Sequence, residues 1–259
     1  MRVISLQSGS NGNCIYVESG GTALLLDAGI SGRQTETRLA CHGRDICGVS
    51  GVVISHDHAD HVRCMGIYQR KFGLPIWVTA PTLRAAQASH GIGELSDVRA
   101  FAAGQTLRFG GLAVETIPTP HDGADGVAFV VDDGRRRVGV LTDLGHVFDG
   151  LAAVIASLDA VLLESNYDPD MLEHGPYPAH LKARIRGPHG HLSNDEAAEL
   201  LASAAAPRMQ WACLAHLSEQ NNEPSVAMRT HRRILGESRA GELPLLVASR
   251  YRVGDVLEV

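Results

Sequence analysis

Residues 51–61 read Gly-Val-Val-Ile-Ser-His-Asp-His-Ala-Asp-His, and this stretch decides the interpretation of the chain. Its apolar start predicts a short buried strand, and the turn that follows carries His56, His58, Asp60 and His61. Imidazole nitrogens and carboxylate oxygens are the ligands of zinc and similar divalent cations, so this turn predicts a metal site. The alternative is a polar turn of solvated histidines, which this spacing disfavours.

The composition is that of an ordinary globular enzyme. The chain has 259 residues, of which 44% are hydrophobic and 20% charged, and its formal net charge is −6. This charge argues against indiscriminate binding to nucleic acid, but it does not exclude an anionic substrate, because bound cations would offset acidic ligands. The run Arg135-Arg136-Arg137 is interpreted as a solubilising turn. No apolar stretch approaches the length of a membrane span, so no membrane partner is expected.

The cysteines and the N-terminus indicate a cytoplasmic location. Five cysteines are scattered without a Cys-x-x-Cys pair, which is typical of thiols in a reducing compartment. The first residues lack the basic and then apolar profile of an export signal. The sequence does not define an oligomeric state.

Strands and helices recur in both halves of the chain. Apolar runs closed by turns predict strands at 14–17, 22–26, 52–54, 76–79, 112–117, 127–131, 137–141, 161–164 and 212–215. Capping and proline signals predict helices at about 80–90, 195–206 and 223–235. Gly20-Gly21 predicts a hairpin between the first two strands. This pattern favours a layered α/β sandwich built as one domain over residues 1–259.

Three further candidate ligands follow predicted strands. His121, Asp143 and His216 each lie in a turn directly after an apolar run. A site with two metal ions needs about seven ligands, so these side chains are the natural partners of the histidines at 56–61.

At these motifs the chain resembles the metallo-β-lactamase superfamily. The resemblance runs from Ser-Gly-Ser-Asn-Gly-Asn at 8–13 through Leu-Leu-Asp-Ala-Gly at 25–29 to Ala-His-Leu at 215–217. The stretches Leu-Glu-Ser-Asn-Tyr-Asp at 163–168 and Gly-Pro-His-Gly-His-Leu-Ser-Asn at 187–194 resemble its YycJ/WalJ branch, a group regarded as DNA exonucleases. The resemblance implies a four-layer αββα sandwich with metals at one edge.

The resemblance also implies which side chains bind which metal. His56, His58 and His121 would hold one ion, Asp60, His61 and His216 the other, and Asp143 would bridge them. Asp27 is expected to orient a ligand histidine. Zinc is favoured and manganese is the alternative, since sites with mixed nitrogen and oxygen ligands are also filled by availability. Two such ions about 3.5–4 Å apart activate a shared water.

The substrate class rests on the branch motifs. In phosphodiesterases of the superfamily a histidine protonates the leaving oxygen and a carboxylate orients it. Here the resemblance assigns these roles to His191 and Glu164, with Asp60 helping to position the nucleophile.

Substrate contacts are expected on both sides of His191. Ser193 and Asn194 start a predicted helix, whose N-terminus suits a phosphate oxygen. Lys182 and Arg186 lie in the segment 168–188, which is interpreted as a long functional loop that meets a nucleic-acid backbone. The competing interpretation of this loop is a solvated flap.

These features predict a metal-dependent hydrolase of nucleic acid, with a DNA 5′-exonuclease favoured. A phosphodiesterase for cyclic phosphates or nucleotides is the alternative, and a thioesterase or lactamase is third, since neither needs His191 or Glu164. A metal-stabilised binding protein without turnover is disfavoured by the intact ligand set.

Overall fold

The computed structural model describes residues 1–236, 238 and 240–259. Contacts within the chain divide it into two compact units. Unit 1 comprises residues 1–118, 123–134 and 249–258, and unit 2 comprises residues 119–122, 135–248 and 259. The single domain expected from the sequence stays a prediction.

Strands and helices alternate along the described chain. The strands are β1 (Arg2–Gln7), β2 (Cys14–Ser19), β3 (Thr22–Leu26), β4 (Val52–Val53), β5 (Ile76–Thr79), β6 (Val98–Phe101), β7 (Thr106–Phe109), β8 (Leu112–Pro118), β9 (Val127–Asp132), β10 (Arg137–Leu141), β11 (Ala160–Glu164), β12 (Trp211–Ala215), β13 (Leu245–Val247) and β14 (Leu257–Glu258). The helices are α1 (Gly32–Ala40), α2 (Ala59–Val62), α3 (Met65–Phe72), α4 (Ala80–Ser89), α5 (Leu151–Ala156), α6 (Pro169–His174), α7 (Ala179–Arg186), α8 (Asn194–Ala204) and α9 (Pro224–Gly236). Among the described residues, every helix is too short or too polar to span a membrane.

Unit 1 contains a mixed sheet with the strand order β14-β1-β2-β3-β4-β5-β6. Strands β1 to β3 pair antiparallel, and β3 to β6 pair parallel. The predicted hairpin is confirmed, since Ser19 pairs with Thr22 and both glycines between them have positive φ. Strands β7, β8 and β9 of the same unit also pair antiparallel.

The core of unit 1 determines where the His-rich turn begins. Val52, Val53 and Ile54 are fully buried, as expected of a central parallel strand covered on both faces. Helix α3 packs beside them through Tyr68, whose hydroxyl donates to the carbonyl oxygen of Ile30 over 2.8 Å. The chain leaves this core immediately before His56, so the turn is anchored on its strand side.

Unit 2 is built on the parallel strands β10, β11, β12 and β13, which pair in that order. All residues of β11 and β12 are buried. Helices α5, α8 and α9 belong to the same unit, and α8 packs against the other two. Because parallel strands end at one edge, the residues that follow β10, β11 and β12 come together there.

The segment 168–188 differs from the expectation. It is not an open loop, because it contains α6 and α7, joined by a short turn. Asp168 caps α6 by accepting from the backbone N–H of Met171 over 2.9 Å, and Pro169 occupies the first helical turn. The prolines and glycines that suggested a loop mark helix starts and ends instead.

Candidate metal centre

The His-rich turn of unit 1 gathers three imidazole rings. His58 is the N-cap of α2, which places Asp60 and His61 in its single turn. The ring centroid of His56 lies 4.6 Å from that of His58 and 4.2 Å from that of His61. His56 and His61 are buried. The predicted ligands of this stretch therefore form one cluster.

Asp27 fixes the orientation of His61. Nδ1 of His61 lies 2.7 Å from Oδ2 of Asp27, and the same carboxylate accepts from the backbone N–H of Ser55 over 2.8 Å and from its hydroxyl over 3.0 Å. An ionised carboxylate only accepts, so Nδ1 of His61 carries the proton and Nε2 keeps its lone pair. A lone pair on Nε2 is what a metal ligand needs, and a carboxylate behind it is the usual support.

Asn13 also contacts this cluster, and the sequence interpretation gave it no role. Its side-chain nitrogen lies 3.0 Å from Nε2 of His61 and 3.2 Å from Oδ2 of Asp60. Its backbone N–H donates to the carbonyl oxygen of Asp60 over 2.8 Å. In the sequence, the stretch around Asn13 carries only the family resemblance, and nothing in its spacing links Asn13 to Asp60 or His61.

Unit 2 forms a second cluster at the ends of its parallel strands. Ligand atoms of Asp143, Glu164, His191 and His216 all lie within 4.8 Å of one another. His121 joins them, with Nε2 3.7 Å from Oδ1 of Asp143. Nδ1 of His121 donates to the carbonyl oxygen of Gly190 over 2.7 Å, which leaves its Nε2 with a lone pair on the Asp143 side.

His216 is held by a buried asparagine that the sequence interpretation missed. The side-chain nitrogen of Asn166 donates to the carbonyl oxygen of His216 over 2.8 Å and lies 3.3 Å from its Nδ1. Asn222 in turn donates to the carbonyl oxygen of Asn166 over 3.1 Å. Asn166 follows β11 by two residues, so its place at the strand end was the available signal.

Several of these residues have unusual backbone conformations. Among the described non-glycine residues, positive φ occurs at Asp27 (66°), Asp125 (60°), Asp143 (58°) and His216 (54°). Such conformations cost about 1–3 kcal/mol each and persist where the surrounding structure enforces them, which happens most often at functional sites. Three of the four belong to the two clusters.

Glu164 and His191 form a close pair in unit 2. Nδ1 of His191 donates to Oε1 of Glu164 over 2.6 Å, while Oε2 accepts from the backbone N–H of Leu144 over 3.0 Å. Burial alone would raise the pKa of Glu164, but the positive charge and hydrogen bond of His191 hold it below its usual range. The carboxylate is therefore ionised and fixes the ring of His191, whose side chain is 18% exposed.

The predicted substrate-binding side chains are either buried or bonded to other residues of unit 2. Ser193 caps α8 in a reciprocal arrangement with Glu196, and Asn194 is fully buried. On α7, Lys182 donates to the backbone carbonyl of Glu173 and Arg186 pairs with its carboxylate. Helix α8 begins at Asn194, one residue before the expected start. A role for these four side chains in substrate binding stays a prediction.

The donor chemistry of both clusters fits divalent metal ions. In both His61 and His121, Nδ1 contacts the supporting oxygen, and Nε2 points away from it as a possible metal ligand. Asp60 and Asp143 add carboxylate oxygens. Imidazole with carboxylate is a ligand set typical of zinc, and it also accepts manganese.

Comparisons with known proteins place the chain in a family. A model of the β-lactamase superfamily domain matches residues 22–212. The chain is 34% identical over 238 residues to exodeoxyribonuclease YycJ of Bacillus anthracis, covering 91% of this chain and 89% of that protein. It is also 34% identical to exodeoxyribonuclease WalJ of Streptococcus pneumoniae, over 87% of this chain and 84% of the relative.

Solved structures show the same fold. The metallo-β-lactamase fold protein YhfI of Bacillus subtilis matches with a TM-score of 0.75 and 18% identity, over 100% of this chain and 98% of that one. Zn²⁺-bound PqqB of Methylobacterium extorquens matches with a TM-score of 0.73 and 19% identity, over 100% of both chains. The expected αββα sandwich is thereby confirmed. The chain belongs to the metallo-β-lactamase superfamily of metal-dependent hydrolases and, within it, to the family that includes YycJ and WalJ.

Proposed function

We propose that this protein is a DNA 5′-exonuclease that hydrolyses phosphodiester bonds with two divalent metal ions. Two relatives at 34% identity that are named exodeoxyribonucleases support the substrate class. The observation that carries the proposed chemistry is the 2.6 Å hydrogen bond between His191 and Glu164 in the cluster that contains Asp143. Thioester or lactam hydrolysis does not require such a proton-donating pair.

The proposed metal ligands come from both clusters. His56, His58 and His121 would hold one ion, Asp60, His61 and His216 the other, and Asp143 would be shared. Zinc is the first choice and manganese the second. When bound, the ions supply Lewis acidity, lower the pKa of a coordinated water and stabilise the charge that develops on the phosphate.

The residues of the chain perform the proton transfers. A hydroxide ion, positioned with the help of Asp60, attacks the phosphorus, and the bond from phosphorus to the 3′-oxygen breaks. His191 donates a proton from Nε2 to this leaving oxygen, because Nδ1 is committed to Glu164. Glu164 keeps the ring in place and stabilises its protonated form. The products are a 5′-phosphate and a 3′-hydroxyl.

Substrate binding in this proposal uses α7 and the start of α8. Lys182 and Arg186 would exchange their contacts with Glu173 for the nucleic-acid backbone. Ser193 and Asn194 would act by fixing the start of α8, since both side chains are buried. The five cysteines are free thiols, which supports the cytoplasmic location that we propose.

The direct test is cleavage of labelled oligonucleotides by protein freed of metal and reloaded with zinc or manganese. We expect short products to be released from the 5′ end, with Asp60→Ala inactive and Asp149→Asn, an exposed carboxylate of unit 2, fully active. Absence of cleavage with either metal would contradict the proposal. Hydrolysis of bis-p-nitrophenyl phosphate without cleavage of DNA would favour a small phosphodiester as the substrate.

A further inference from the structure

Arg63 directly follows the helical turn that carries two of the proposed metal ligands. It is the C-cap of α2, and its backbone N–H donates to the carbonyl oxygen of Ala59 over 3.1 Å. Its side chain is exposed. The arginine therefore extends into solvent from the turn that holds Asp60 and His61.

Two backbone carbonyls hold the guanidinium in a fixed position. Nε of Arg63 donates to the carbonyl oxygen of Gly29 over 2.7 Å, and Nη2 donates to the carbonyl oxygen of Asn11. Both acceptors are neutral, and no carboxylate among the described residues pairs with Arg63. A guanidinium has five N–H donors, so three remain together with its full positive charge.

This arrangement contrasts with the cations of α7. Arg184 pairs with Asp122, and Arg186 pairs with Glu173. Those charges are partly offset within the protein, and a phosphate would have to displace a carboxylate to reach them. Arg63 needs no such exchange.

The segments that hold Arg63 also contact the His-rich turn at Asp60 and His61. Asn13, two residues after Asn11, contacts both Asp60 and His61. Gly29 lies so close that a Cβ atom on it would come within 1.6 Å of the carbonyl oxygen of Asp60. The guanidinium and the ligands are thus fixed to the same two stretches of backbone, and their relative position is rigid within unit 1.

We infer that Arg63 binds a backbone phosphate of the nucleic acid next to the bond that is cleaved. This inference rests on the proposed nuclease function. An arginine fork matches two oxygens of a phosphate, and its anchoring by carbonyls removes much of the entropy cost of ordering the side chain. Arg63 would position the strand relative to the metal-ligand turn.

The test measures the salt dependence of binding to a single-stranded oligonucleotide with non-hydrolysable phosphorothioate linkages. Metal-loaded wild type is compared with Arg63→Gln, Arg63→Lys and the control Arg108→Gln, which removes an exposed arginine from the same unit. We expect Arg63→Gln to weaken binding roughly tenfold and to lower the slope of log affinity against log salt by about 0.7. Arg108→Gln should leave both unchanged.

Arg63→Lys separates the effect of charge from that of geometry. It keeps the positive charge but loses the planar guanidinium that is held by two carbonyls and matches two phosphate oxygens. We expect it to keep the wild-type slope while binding less tightly. If Arg63→Gln, folded as judged by its thermal midpoint, keeps the wild-type slope, the inference is wrong although the proposed function stands. If Arg63→Gln does not fold, weaker binding by Arg63→Lys with a wild-type slope supports the inference, and binding as tight as that of the wild type overturns it. If the wild type neither binds nor cleaves oligonucleotides, the proposed function itself fails.

Discussion

Glu164 accepts a hydrogen bond from Nδ1 of His191 over 2.6 Å, and the same carboxylate holds the backbone of Leu144, next to Asp143. One buried group thus orients the proposed proton donor and the turn that carries the proposed bridging ligand. It joins the ends of two neighbouring parallel strands. This relationship makes Glu164 a positioning residue whose removal has a defined consequence.

Replacing Glu164 by Gln should lower kcat for oligonucleotide cleavage by about 10²- to 10³-fold, because His191 loses the carboxylate that orients it and stabilises its protonated form. Steady-state kinetics with saturating metal measures the effect. Glu199→Gln, an exposed position on α8, is the matched control. A kcat equal to that of the wild type would show that proton transfer does not depend on Glu164.

Replacing Asp27 by Asn should weaken metal binding by about 10- to 100-fold, because His61 would lose the acceptor that selects its tautomer. Titration of the metal-free protein with zinc against a competing chelator measures the affinity. The control Asp97→Asn changes an exposed carboxylate of the same unit and should leave the zinc affinity unchanged. An unaltered affinity in Asp27→Asn would show that this support is dispensable.

His231 predicts a pH dependence of stability. It is fully buried in α9, and burial lowers its pKa from 6.5 to about 4. Between these values the unfolded chain binds a proton that the folded chain does not, so stability falls as pH falls through this window. His231→Leu should reduce the loss of stability between pH 7 and pH 4 by up to about 3 kcal/mol, because leucine binds no proton. Urea unfolding at the two pH values measures the difference. The control His180→Gln, which replaces an exposed histidine, should lose as much stability between pH 7 and pH 4 as the wild type.

Asp159 should contribute to the stability of unit 2. Its buried carboxylate accepts from Arg136, from Arg208 and from the backbone N–H of Arg137. Burial would raise the pKa of Asp159, but the hydrogen bond from Arg208 and the other donors lower it below its usual value. The ionised carboxylate therefore stabilises the fold at pH values above that usual pKa. This stabilisation is lost as the pH falls through the lowered pKa.

Asp159→Asn should lower the free energy of unfolding at pH 7 by about 2 kcal/mol. The effect is no larger because solvent screens the ion pairs of the half-exposed arginines. Urea unfolding measures it, with Asp149→Asn as the exposed control. Equal stability of Asp159→Asn and the wild type would contradict this role.

The sequence predicted the parts of the fold that have strong periodic or turn signals. The hairpin at Gly20-Gly21 and the strand before His56 are confirmed, because turn chemistry and a continuous apolar run are local properties. The segment 168–188 was misinterpreted, since a proline inside or before a short helix resembles a loop signal. Helix α1 was also missed, although Ser31 and Gln34 form a capping box at its start.

The parts of the site that escaped prediction depend on tertiary contacts. Asn13 and Asn166 support predicted ligands through hydrogen bonds that no spacing rule reveals. Arg136, part of the run interpreted as a solubilising turn, is exposed, and it also pairs with buried Asp159. The partner lies 23 residues away, and only the folded chain brings the two together.

The measurement that tests the central claim most directly is the metal content of the purified protein after equilibration with zinc and removal of free ions. The account predicts two zinc ions per chain in the wild type and fewer in Asp143→Ala, since this residue is proposed to serve both ions. Zinc binding at one ion per chain or less, unaffected by Asp143→Ala, would contradict it.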